Sequence, residues 1–261
     1  MSVEFRASEM GAFRTCQGLP CRSNRVKLCV SICERREFAN SEMNRIQQLR
    51  ETVKTVRYVL EHLAVVFGAA TGALAARGKG IDWFGVIVLG LVTSVGGGTL
   101  RDIILDVPVF WVSDHSFLIS GIVTAALTIY LAQYLNPSST PFLITDAFFL
   151  AFVTMVGTNK TYSLKHPGTI CALFGVVTGV AGGMFRDVLL GEVPLVFRQH
   201  INLYATAALF GSISFLGAAL VWPGHWFNMV FGALVTLLLR MAAIRWRLHL
   251  PLFQSPDEGI S

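Results

Sequence analysis

Two Arg-Asp pairs, Arg101 with Asp102 and Arg186 with Asp187, each follow glycines inside apolar sequence. They lie in TSVGGGTLRDIILDVP (residues 93–108) and TGVAGGMFRDVLLGEVP (residues 178–194). A charged side chain at mid-bilayer costs roughly 2.5–3.5 kcal/mol on insertion scales, so two uncompensated pairs would total about 10 kcal/mol. That rivals the net stability of a whole fold, so the pairs must be partnered, hydrated or close to an interface. Two readings stand. In the structural one the pairs sit at span ends, each Asp fixing a neighbouring helix or loop and each Arg snorkelling. In the functional one Arg101, Asp102, Arg186 and Asp187 flank a pathway that admits water. Adjacent residues on a helix point about 100° apart, so Arg101 and Asp102 are each expected to bond elsewhere.

Each glycine of Gly96, Gly97, Gly98, Gly182 and Gly183 weakens a helix by of order 1 kcal/mol relative to Ala. Small residues also recur four apart: Gly90, Ser94 and Gly98 lead to Asp102, and Gly175, Gly179 and Gly183 lead to Asp187. Ala64, Gly68, Gly72 and Ala76 form a similar stripe. Such stripes let membrane helices touch. One glycine per turn would suffice for that, so the clusters are read here as a kink or unwound turn lining a path, where irregular backbone is tolerated at membrane depth. Glu61 and Asp146, acids within apolar runs, invite a proton or cation role; the alternative is an acid in the first turn of a helix, stabilised by the dipole. Lys160 and Lys165, with Asn159 and Tyr162, read as loop charges or a mouth, and His62 as an interface residue.

No nucleophile triad, nucleotide loop or metal-ligand cluster is present, so neither an enzyme, a metal nor a cofactor is expected. Cys16, Cys21, Cys29 and Cys33 match no zinc spacing and read as incidental thiols; Cys171 reads as packing. The excess of basic residues lies at the amino end, where 11 of the 21 Lys and Arg fall between residues 6 and 57. That suits anionic lipid headgroups and gives no nucleic-acid site.

The elements that must carry these residues follow from hydropathy. Of the 261 residues, 53% are hydrophobic and only 14% charged, against about a quarter charged in soluble domains; mean hydropathy is +0.59. A spanning helix needs roughly 20 mostly apolar residues. Seven runs qualify, at about 58–76, 83–105, 116–135, 142–158, 167–190, 201–222 and 226–246. Trp83, Trp111, Trp222 and Trp226 stand at their edges, as interfacial aromatics do. The fold class is an all-α integral membrane protein. Residues 1–56 read as a basic, disordered extension, helical from an N-cap at Ser41 into the first span.

The chain is a duplication. At an offset of 85, Phe67 falls on Phe152, Gly72 on Gly157, Gly90 on Gly175 and Thr93 on Thr178. Gly97, Gly98, Arg101 and Asp102 fall on Gly182, Gly183, Arg186 and Asp187, and Glu61 meets Asp146. Each unit, 57–136 and 137–223, holds three spans. Three is odd, so the second unit enters from the opposite side and the units are inverted repeats, the construction of many transporters. The seventh span, 224–247, has no counterpart and precedes a tail at 248–261.

GGGTLRDIILDVPVFWV and its degenerate copy GGMFRDVLLGEVPLVF resemble the bacterial membrane family built from two glycine-transporter domains, similar in turn to trimeric intracellular cation (TRIC) channels. The resemblance covers residues 57 to 246. It implies seven helices in two inverted repeats plus one, a homotrimer in the bacterial inner membrane, and a pore in each protomer bounded by kinked second and fifth spans. The kink residues it implies are Gly96, Gly97, Gly98, Gly182 and Gly183, with Ala181 replacing one glycine of the second copy. The expected function is a passive cation channel in which carbonyls freed at these glycines face a partly dehydrated cation. The alternatives are a carrier for glycine or another small amino acid, and a non-conducting membrane scaffold.

Overall fold

The computed structural model describes residues 23–134, 140–197 and 203–246, with side chains from residue 40 onward. Among the described residues the long helices are α1 (Ser23–Ala75), α2 (Trp83–Ile104), α3 (Ser116–Ala132), α4 (Thr140–Ser163), α5 (Gly168–Leu189), α6 (Tyr204–Val221) and α7 (Phe227–Trp246). One helical turn, Phe110–Ser113, follows α2, and a 3-10 turn, Leu195–Phe197, follows α5. All regular structure among the described residues is helical.

Two compact units are present, Met1–Arg50 and Glu51–Ser261. Helix already runs from Ser23, so Ser41 is an interior residue and not the cap expected of it. No Gly or Pro interrupts residues 23–67, which leaves the helix no breaker. Cys16, Cys21 and the side chains of Cys29 and Cys33 lie outside the described residues.

Among the described residues six helices are long and apolar enough to cross a membrane: the Asn40–Ala75 part of α1, α2, α4, α5, α6 and α7. The span expected at 116–135 is the shorter apolar helix Ser116–Ala132, of 17 residues. At 1.5 Å per residue it reaches about 26 Å, short of a hydrocarbon core of about 30 Å.

Small residues set how the helices meet. A Cβ at Gly72 would lie 2.7 Å from Gly90 Cα, and one at Gly68 would lie 2.8 Å from Ser94 Cα. The stripe of α1 therefore rests on that of α2, backbone against backbone. α5 lies against α2, α4 and α6, while α7 lies against α4 and α6. Leu60 of α1, Met155 and Val156 of α4, Phe215 of α6, and Met229 and Ala233 of α7 form one buried cluster.

The duplication recurs in local geometry. Asp82 caps α2 by accepting from the Gly85 amide at 2.8 Å. Both α2 and α5 end on a left-handed residue, Asp106 (φ 51°) and Gly191 (φ 67°), placed by the same offset of 85. Beyond each, an amide reaches back to the helix: Val107 N–H to the Asp102 carbonyl at 3.0 Å, Glu192 N–H to the Asp187 carbonyl at 2.9 Å. This αL termination satisfies carbonyls that the helix end would orphan. It also turns the chain back across the helix end, which is what positions the charges.

Candidate functional site: two buried charge centres beside a glycine crossing

α2 and α5 cross where the glycines lie. A Cβ at Gly97 would clash with the Thr178 carbonyl oxygen, and one at Gly182 with the Thr93 carbonyl oxygen. These four residues are two repeat-related pairs, so each helix presents its glycine to the other's carbonyl. Gly96 faces Phe185, Gly98 faces Phe110 and Gly183 faces the Tyr204 hydroxyl. Helical structure runs unbroken through Trp83–Ile104 and Gly168–Leu189. The expected unwound turn with freed carbonyls is therefore absent from this structure. Close approach, rather than missing helix, is the visible reason for these glycines.

Just beyond the crossing each Arg-Asp pair is folded into a clasp. Arg101 Nε donates to Asp102 Oδ1 at 2.7 Å, and Arg186 Nε donates to Asp187 Oδ1 at 2.7 Å. The expectation that neighbours bond elsewhere fails because an arginine chain is long enough to turn back on the following residue. The other carboxylate oxygen anchors the returning chain: Asp102 Oδ2 accepts from the Phe110 amide at 3.1 Å, Asp187 Oδ2 from the Leu195 amide at 2.8 Å. Both Arg and both Asp are buried. In both copies the Asp fixes the chain that follows its helix, but neither Arg snorkels as the structural reading expected, because both guanidinium groups are buried against the carboxylates.

The two centres then diverge. In the second, Asp146 Oδ1 accepts from Arg186 Nη1 at 3.1 Å and from the Tyr204 hydroxyl at 3.4 Å. Asp146 Oδ2 accepts from Arg240 Nη2 at 3.4 Å. Arg186 lies 4.8 Å over the Phe142 ring and Arg240 lies 4.6 Å over the Tyr204 ring, contacts that favour a desolvated cation. Two acids meet two guanidinium groups, so the centre is neutral and closed. In the first, Lys160 Nζ donates to Asp102 Oδ1 at 2.8 Å, while Glu61 is 3.8 Å from Arg57 Nε. A cavity of about 20 Å³ opens there. Glu61, Ser94, Gly98 and Arg101 line its polar side, and Ala64, Val65, Phe110, Val153 and Val156 its apolar side.

The structure thus gathers Glu61, Gly98 and Arg101 around one cavity and Asp146, Arg186 and Asp187 into one clasp. Gly97 and Gly182 lie at the crossing of α2 and α5, and Gly96 faces Phe185. Neither Glu61 nor Asp146 occupies a first helical turn. Lys160 belongs to α4 rather than to a loop. The residues the sequence left unassigned are Arg240 and Tyr204; the only signal for Arg240 was its charge inside an apolar run.

A polar relay borders the first centre. Tyr58 Oη donates to Asp114 Oδ2 at 3.1 Å, and His62 Nε2 lies 3.2 Å from Ser116 Oγ. His62 stacks on Phe117, ring centroids 4.2 Å apart, and Phe117 meets Phe110 edge-on at 5.0 Å. Hydrogen bonds from the Ser116 hydroxyl and amide hold the Asp114 carboxyl below its usual range. Among the described residues no group of three His, Cys, Asp or Glu could hold a metal ion.

The chain is similar to known membrane proteins. The glycine transporter family matches residues 58–133 and 143–219. A UPF0126 inner membrane protein of Escherichia coli, YadS, is 42% identical over 208 residues, covering 77% of this chain and 98% of the relative. A UPF0126 membrane protein of Vibrio cholerae is 37% identical, covering 75% and 82%. Among solved structures, the TRIC trimeric intracellular cation channel orthologue of Rhodobacter sphaeroides superposes with a TM-score of 0.70 at 33% identity, covering 74% of this chain and all of that one. A prokaryotic TRIC channel crystallised in 0.5 M KCl gives a TM-score of 0.70 at 28% identity, covering 76% and 100%.

Proposed function

The chain belongs to the glycine transporter family, and from that premise we propose that it is a passive cation channel of the bacterial inner membrane. It assembles as a homotrimer with a pore in each protomer. The architecture is seven spans, two inverted three-helix repeats at 57–136 and 137–223 with α7 added, α3 being the short member. The pore is bounded by α2 and α5. Gly96, Gly97, Gly98, Gly182 and Gly183 are where these helices bend and part on opening, with Arg101, Asp102, Arg186 and Asp187 beside them.

The observation that carries the reading is the cavity beside the crossing, with Glu61 and Arg101 in its lining, in a chain that superposes on solved cation channels. Glu61 and Arg101 put fixed charges on one side of an otherwise largely apolar void, and fixed charges beside a constriction are a means of ion selection in channels. A void of about 20 Å³ holds about one water. A scaffold gives no reason to keep four buried charges next to a doubled glycine crossing. Potassium release from liposomes containing the purified chain tests the proposal: rapid, non-saturating release driven by a potassium gradient is expected. Saturable exchange of labelled glycine without net charge movement would replace the channel by a carrier, and neither activity would leave the scaffold.

A further inference from the structure

His62 of α1 faces the chain that leads into α3. Its Nδ1 lies 3.2 Å from the Tyr58 carbonyl oxygen. A carbonyl only accepts, so Nδ1 carries a proton and the charge of the ring is decided at Nε2. Nε2 lies 3.2 Å from Ser116 Oγ. Beside a neutral ring that hydroxyl has one proton for two acceptors, Nε2 and the Asp114 carboxylate, to which it also bonds. The Tyr58 hydroxyl offers no relief, because it donates to Asp114 Oδ2 at 3.1 Å. A charged ring ends the conflict. Nε2–H then donates to Ser116 Oγ, Ser116 donates to Asp114, and a cation on α1 faces an anion just before α3.

This junction backs onto rings that reach the glycine crossing. Phe117 is 2% exposed, and its ring centroid lies 4.2 Å from that of His62, a contact that strengthens when the imidazole is charged. Phe117 meets Phe110 edge-on at 5.0 Å. Phe110 lines the cavity and lies on Gly98, where an added Cβ would come within 2.7 Å of its ring. Holding Ser116 and Phe117 against His62 therefore also backs Phe110 where it rests on α2.

The other charges nearby are engaged elsewhere. Arg57 and Glu61 pair on α1. Arg101 of α2 and Lys160 of α4 both bond Asp102. His115, beside Asp114, is exposed and serves as the control below. Histidine is the side chain that ordinarily changes charge between about pH 5 and 8.

We infer that His62 is a proton-operated latch between α1 and α3: charged, it fastens Ser116 and backs Phe110 against Gly98; neutral, it releases both. The latch rests on the channel reading proposed above for its effect on flux, since it gives that pore a closure favoured by acid.

Trp111 follows Phe110 and donates from Nε1 to Thr99 Oγ1 of α2 at 2.9 Å, so its fluorescence reports on this turn. Trp83, Trp222, Trp226 and Trp246 are exposed; Trp83→Phe, Trp222→Phe, Trp226→Phe and Trp246→Phe together leave Trp111 as the single reporter in the whole chain. In lipid vesicles its emission is expected to change in one step between about pH 5 and 8, above the range in which a carboxylate takes up its proton. The step should vanish in His62→Gln and in Ser116→Ala and persist in His115→Gln; if His62→Gln does not fold, the other two variants decide. The latch is overturned by the absence of a step, by one that survives His62→Gln or Ser116→Ala, or by one lost in His115→Gln. Potassium release from the same vesicles should be severalfold slower at the acid end of this range, a difference absent in His62→Gln. Release that ignores pH beside an intact step overturns the latch's control of the pore. Release without the step removes the latch and keeps the channel, while the step without release removes the channel and keeps the latch.

Discussion

Arg101 and Arg186 each turn back onto the very next residue, and that single habit shapes both charge centres. It frees the second carboxylate oxygen of Asp102 and Asp187 to hold the returning chain. It also lets Arg186 reach Asp146 with its remaining nitrogens. Removing one member of a buried pair strands the other in low dielectric, at a cost of about 3–5 kcal/mol. Arg240→Met should fall near the lower end, about 3 kcal/mol, because Arg186 still holds Asp146; chemical unfolding in detergent micelles measures it. Asp114 gives a pH-dependent case. Its folded pKa is depressed, so its contribution is complete above the unfolded value of about 3.9 and fades as pH falls through the lower folded value. Amide exchange across residues 110–117 should therefore rise on acidification in the wild type and be flatter with pH in Asp114→Asn. The sequence made the charged positions visible, since an Arg-Asp repeated in apolar surroundings has no other explanation. Their partners were not visible: Lys160 is 58 residues from Asp102 and Arg240 is 94 residues from Asp146, distances that no local pattern spans.

Helices α2 and α5 illustrate how far element-level reading goes. Their existence and approximate ends followed from apolar runs, whereas the left-handed Asp106 and Gly191 that close them were not read from the sequence. The role of the glycines did not follow, because a kink and a close crossing write the same composition. The Thr178 and Thr93 carbonyls settle what fills the space. Gly97→Ala should destabilise by about 1–3 kcal/mol as an overpacked contact between backbones. Gly217→Ala on α6, where an added Cβ meets nothing within 4 Å, should be neutral or stabilising by up to about 1 kcal/mol. Paired thermal unfolding of the two variants checks this; equal effects would remove the crossing as the glycines' reason. Asp187→Ala should speed amide exchange at Leu195, whose N–H loses its acceptor, while leaving the exchange of Phe110 unchanged. The first helix is a case of misplaced boundary: Ser41 resembled a cap, yet with no Gly or Pro from 23 to 67 the helix has no cause to begin there.

At the scale of the whole molecule the chain is one design used twice and then finished unequally. The offset of 85 carries the glycine crossing, the helix terminations and the Asp-held turns from one half to the other. α7 breaks the equivalence by giving Arg240 to the second centre alone, which leaves the first with its cavity. One half is closed and the other borders a cavity, and the proposed cation channel sets its pore beside that difference. Planar-bilayer recording of the purified chain in a potassium gradient addresses that account most directly. Discrete potassium currents, reversing near the potassium equilibrium potential, are the predicted result. Bilayers that stay silent while liposomes of the same preparation exchange labelled glycine would contradict it.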